Sequence, residues 1–125
     1  MFLQESVISV DEKNYMRLSG PLSVWLHTSC FWLDFNARHG TIFDQFEEDE
    51  ADMSMVKAII EALDDRICVL HKLSEDYVEF VFSWDAEYKS MSMRLPKNFL
   101  LSELVVFRDF LNDVVAKNCC VLFSL

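Results

Sequence analysis

Two pairs of side chains have the types and spacing of metal ligands: His27-Thr-Ser-Cys30 and Cys68-Val-Leu-His71, each with a two-residue gap. Two thiolates and two imidazoles suit a tetrahedral zinc ion, and ligands three residues apart share one face of a helix. His27 and Cys30 fall in a segment that reads as helix. Cys68 and His71 fall in one that reads as strand, where positions three apart face opposite sides. The second dyad therefore diverges, and core cysteines with a hydrogen-bonded histidine account for the same residues. No metal ligand and no cofactor is assigned.

A different chemistry is concentrated between Asp44 and Asp52, where six of nine residues are carboxylates. Calcium takes such oxygens, but a calcium-binding helix–loop–helix needs Gly at the sixth place of its loop and Glu at the twelfth. Counted from Asp44, those places hold Asp49 and Met55. The pattern fails. A Cys–His pair drawn from Cys30, Cys68, His27, His39 and His71 would suit nucleophilic catalysis, yet no Gly-x-Ser-x-Gly turn accompanies it. With two glycines in the chain, glycine-built phosphate cradles are also excluded. The reading is a binding protein rather than an enzyme, with a small zinc-dependent enzyme as the third choice.

The charge distribution points the same way. Of the net −10, the segment 34–87 carries fifteen acids and four bases (−11), and the remainder carries six acids and seven bases (+1). Such a field repels nucleic acid and anionic lipid and attracts basic protein surfaces. Solubility alone explains many acidic proteins and competes with any functional reading. At 125 residues and 52% apolar content the chain can bury a core in one domain, spanning 1–125. Glu5 and the lack of a basic start speak against a secretory signal, and the longest uncharged apolar run, 20–33, is too short to span a membrane. Free, mostly buried cysteines in a reducing cytoplasm are expected.

The elements that must position these groups follow from periodicity. A strand is expected over 2–10, with a possible return arm at 15–18 after the polar turn Asp11-Glu12-Lys13-Asn14. Ser19-Gly20-Pro21 reads as a helix start, and the apolar stripe Leu22, Trp25, Leu26, Ser29, Leu33 predicts one helix ending at Gly40. Met53, Val56, Ile60, Leu63 and Ile67 predict a second, whose first turn accounts for two or three of the preceding acids. Strands are expected over 67–73, 77–84 and 88–95, with Val78, Phe80, Phe82 and Trp84 on one face and Met91, Met93 and Leu95 inward. A last helix over 101–117, capped by Asn98 or Ser102 and closed by Asn118, leads to a terminal strand over 119–125. The fold class is α+β: a mostly antiparallel sheet of four to five strands with about three helices packed against it.

The function expected is that of an acidic immunity or antitoxin-type protein. It would neutralise a basic partner, a toxic nuclease above all, by covering its active site. Asp44, Phe46, Glu47, Glu48, Asp49, Glu50 and Asp52, with Asp64, Asp65, Glu75, Asp76 and Tyr77, are the candidate partner-binding residues. The carboxylates would steer encounter, and Phe46 and Tyr77 would anchor it. Trp25 and Trp32 read as core, while Phe43 and Tyr88 are further aromatics near acidic segments. The final helix and strand are similar to the end of barstar-type ribonuclease inhibitors, without a shared motif. The runner-up is an acidic dimeric secretion chaperone, because the strand–strand–Pro–helix run of 77–117 is similar to the type-III-secretion class. Those proteins usually open with a helix rather than a strand.

Overall fold

In chain order the elements are β1 (Ser6–Ser9), β2 (Tyr15–Leu18), α1 (Gly20–Thr28), α2 (Phe31–His39), β3 (Glu48–Ala51), α3 (Met53–Lys72), β4 (Tyr77–Trp84), β5 (Ser90–Pro96), α4 (Lys97–Ala116) and β6 (Val121–Ser124). The computed structural model describes residues 5–44, 47–84, 87 and 89–125, the side chains of 82–84 apart. Phe46, Tyr88, residues 2–4 and the faces of Phe82 and Trp84 lie outside the described residues. The fold is α+β, as expected, but its strands form two sheets. A four-stranded sheet runs β2-β1-β6-β3 with every pair antiparallel, and β4-β5 forms a separate hairpin.

The two long helices make the bulk of the core. On α3 the buried stripe is Val56, Ile59, Leu63, Ile67 and Leu70. On α4 it is Leu100, Leu101, Leu104, Phe107, Leu111 and Val114. These recur at three and four residues, so each helix offers one continuous apolar face to the other. The inward residues of the sheet, Ile8, Leu18, Ala51, Val121 and Phe123, join the same apolar cluster. Trp32 sits at its centre, with ring centroids 5.2 Å from Phe43 and 6.0 Å from Phe123. Trp25 and Trp32 are core, as expected, whereas Leu33 of the expected stripe is exposed.

Three local expectations are corrected. The single helix over 20–40 is two helices, broken at Ser29–Cys30, where Cys30 takes a positive φ of 64°. Arg66 clasps the break: its Nη1 donates to the Ser29 carbonyl (3.1 Å) and hydroxyl (2.8 Å), and its guanidinium lies over Trp25 and Phe31. Aromatic residues fill both sides of the break, so the apolar pattern runs through it unbroken. The strand expected over 67–73 is instead the end of α3, because Ile67 and Leu70 continue the helical stripe of Leu63. Burial of the thiols is also corrected: Cys30, Cys68 and Cys120 are exposed, and Cys119 is half-buried.

The start of α1 and the end of α2 follow their signals, and the start of α4 does not. Ser19 caps α1, its hydroxyl accepting from the Leu22 N–H, and Gly40 closes α2 at φ 67°. Helix α4 starts directly after Pro96, ahead of both Asn98 and Ser102, without a side-chain cap. Asn118 follows its C-terminus at φ 55°. The β4-β5 hairpin alternates half-buried Val78, Phe80, Met91, Met93 and Leu95 with exposed neighbours. No described helix is long and apolar enough to cross a membrane.

Candidate functional site

Half of the acidic run is a strand, which nothing local encourages. Glu and Asp are poor strand formers, and what matters is fit to a half-buried pleated surface. The fit comes from β6. Asp49 lies opposite Phe123, and Ala51 opposite Val121. Ala51 is buried, Asp49 is half-buried, and Glu48 and Glu50 point outward on the exposed face. Among the described residues of the run, Asp52 is the carboxylate that hydrogen-bonds to the helix that follows, its Oδ1 accepting from the Met55 N–H at 2.8 Å.

The approach to β3 is fixed by Asn36. Its Nδ2 donates to the Phe43 carbonyl (2.7 Å), and its Oδ1 accepts from the Phe43 N–H (3.0 Å) and the Thr41 hydroxyl (2.7 Å). Together with buried Phe43 this ties the chain between Gly40 and Asp44 to α2. Asn36 was not marked by the sequence; an Asn four residues before a helix-closing Gly is the only trace of it.

Asp49 faces the interior of an edge strand. One of its carboxylate oxygens is shielded from solvent and has no hydrogen-bond partner among the described residues, and the same holds for Nε2 of His27. Burial, and then the charge of Asp44, push the Asp49 carboxyl up from its ordinary value. Burial lowers the His27 imidazole, against an opposing pull from Asp44. Asp49 and His27 therefore both feel the charge of Asp44. Beside β3, Ile42, Phe43, Met55, Asp49 and Glu50 line a shallow pocket of about 190 Å³.

The structure does not gather all the expected acids on one face. Asp44, Glu47, Glu48, Glu50 and Asp52 are exposed around β3. Asp64 lies midway along α3 and is paired with Arg108 of α4 at 3.1 Å. Asp65 borders a cleft of about 210 Å³ between α2 and α3, where Asp34 and Glu61 face Arg38 and Arg66. Glu75 and Asp76 follow the far end of α3, a helix of 20 residues, so roughly 30 Å separates them from Asp52 at 1.5 Å per residue. Tyr77, beside them, is exposed and carries the Arg94 guanidinium 4.2 Å above its ring.

The zinc dyads do not assemble. Cys68 and His71 do share a helix, but among the described residues no three His, Cys, Asp or Glu side chains converge on a point that would hold a metal ion. Compared with known proteins, the chain matches no family model, no curated protein and no solved structure.

Proposed function

We propose that this chain is an acidic immunity or antitoxin-type protein that binds a basic partner, a toxic nuclease above all, and neutralises it by covering its active site. The observation that supports this reading is the charge around β3. Between Arg38 and Lys57 there are six carboxylates and no Lys or Arg, and among the described residues Glu47, Glu48 and Glu50 form no ion pair. The strand holds Glu48 and Glu50 in a fixed row, so these two meet a cationic groove already ordered. Unpaired charges of one sign raise association rates toward the diffusion limit, which matters when the partner is lethal. Charge on an edge strand also prevents sheet-to-sheet aggregation, which explains part of the row without any partner. It does not explain Asp44 and Glu47, which precede the strand. Such a protein acts in the cytoplasm, where a nuclease does its damage.

The test uses the product of the reading frame adjacent to the one that encodes this chain, which the reading expects to be a basic nuclease. Titration into a nuclease assay is expected to abolish activity at one equivalent, with affinity falling steeply as salt is added. Full nuclease activity at excess inhibitor would overturn the reading. A homodimer that instead holds an unfolded secreted effector would replace it with the chaperone role.

A further inference from the structure

The four-stranded sheet ends at β3, and the hydrogen-bond parity of its last ladder says which backbone groups remain open. The Leu125 N–H donates to the Glu47 carbonyl at 3.0 Å, in the register that pairs Asp49 with Phe123 and Ala51 with Val121. In an antiparallel ladder, bonded and non-bonded pairs alternate. Glu47, Asp49 and Ala51 therefore point their N–H and C=O groups at β6 and its continuation, and Glu48 and Glu50 point theirs outward. Among the described residues no strand pairs with that outer edge.

We propose that the outer edge of β3 is where the partner docks, by laying an extended basic segment alongside it as a fifth strand. This rests on the acidic-partner reading above and gives its mode of contact. Charge selects the occupant. A second copy of β3 would set Glu48 and Glu50 against carboxylates like themselves, and like charges directly across a sheet repel. Lys or Arg beside Glu48 and Glu50 would be attracted. Alternate residues of the added strand would fall on the other face, beside Asp49 and the pocket edged by Ile42, which is 74% exposed, and Met55. A segment alternating basic with apolar residues satisfies both faces, while backbone hydrogen bonds to Glu48 and Glu50 supply the register.

The experiment measures binding of an eight-residue peptide alternating Lys with Val, and of the same peptide N-methylated on the amides that would face β3. Methylation keeps the charge and removes the donors. The unmodified peptide is expected to bind at least tenfold tighter, and to slow hydrogen exchange at the Glu48 and Glu50 amides. Glu50→Pro, which removes one outward donor without touching the ladder to β6, is expected to weaken binding by a similar factor while leaving thermal stability within a few degrees. Equal binding of both peptides, with unchanged exchange at Glu48 and Glu50, would overturn edge pairing while leaving the acidic-face reading intact. Concentration-dependent dimerisation with slowed exchange at the same two amides would overturn it in favour of a second copy. If the nuclease assay fails as well, the proposed function falls with it; inhibition that survives Glu50→Pro would remove the edge alone.

Discussion

The two ends of α3 are both acidic, and they differ in what surrounds the acids. At the far end, Glu75 and Asp76 share their surroundings with cations. Lys97 donates its backbone N–H to the Asp76 carbonyl (2.8 Å) and its Nζ to the Leu73 carbonyl (2.9 Å), Arg94 covers Tyr77, and Lys72 closes the helix. At the near end, the sequence places no Lys or Arg within the run or beside it. The same residue types thus serve two purposes. At one end they belong to a structural junction between helix and hairpin, and at the other they remain a field that faces outward. Composition does not distinguish the two; neighbours across the fold do.

The largest effect that separates the ends is kinetic. Glu47→Lys, Glu48→Lys and Glu50→Lys together are expected to slow association with the basic partner by about 100-fold at low salt, within the range of electrostatic steering. Glu75→Lys with Asp76→Lys is expected to change it by less than about threefold. Stopped-flow rates that fall equally in both variants would erase the distinction between the two ends.

The next effect is on stability. Asn36→Ala removes all three hydrogen bonds that hold the approach to β3, two of them to the backbone of Phe43, and is expected to cost about 2–3 kcal/mol. Denaturant titration measures it; a loss below about 0.5 kcal/mol would mean that burial of Phe43 alone holds the segment. At the opposite end, Lys97→Ala removes one exposed hydrogen bond and is expected to cost about 1 kcal/mol or less. It also removes a cation from the neighbourhood of Glu75 and Asp76, so a faster association in this variant would show that the local positive charge offsets theirs.

The smallest effects concern protons. The folded Asp49 carboxyl is raised above 3.8, so its contribution is favourable below that pH and is lost as pH rises through the folded value. Glu103, half-buried under Ser19, behaves alike from its 4.5. Asp49→Asn should therefore raise stability at neutral pH, by less than about 1 kcal/mol after solvent screening, while weakening partner binding. His27 has the opposite sign. Its folded value lies below 6.5, so its contribution is present above that pH and fades as pH falls below it. Melting temperature should drop from pH 7.5 to 5.5 in the native chain and less in His27→Gln. An Asp49→Asn protein destabilised at neutral pH would contradict the assignment of Asp49 as a carboxylate without compensation.

How far the sequence discloses this arrangement depends on whether the signal is local. The hairpin of β4 and β5 and the helix α4 could be read directly, because alternation in Met91, Met93 and Leu95 and the three-four spacing of Leu104, Phe107, Leu111 and Val114 come from one buried face each. The helix break at Cys30 was hidden, since its clasp, Arg66, is 36 residues away in the chain. The run from Ile67 to Leu73 reads as a strand from its apolar residues, and packing of Ile67 and Leu70 makes it helix instead. β3 was illegible for a stronger reason: Glu-Asp-Glu-Ala becomes a strand only because β6 offers it a ladder. The acidic run was visible from the start, but its outward amides, its inward Asp49 and its separation from Glu75 and Asp76 belong to the fold.

Hydrogen exchange on the complex with the basic partner tests the central claim most directly, because both ends of α3 are read in one measurement. The account predicts slowed exchange at residues 47–51, strongest at Glu48 and Glu50, with no change over 73–78. Protection over 73–78 with β3 left exchanging as in the free protein would contradict it.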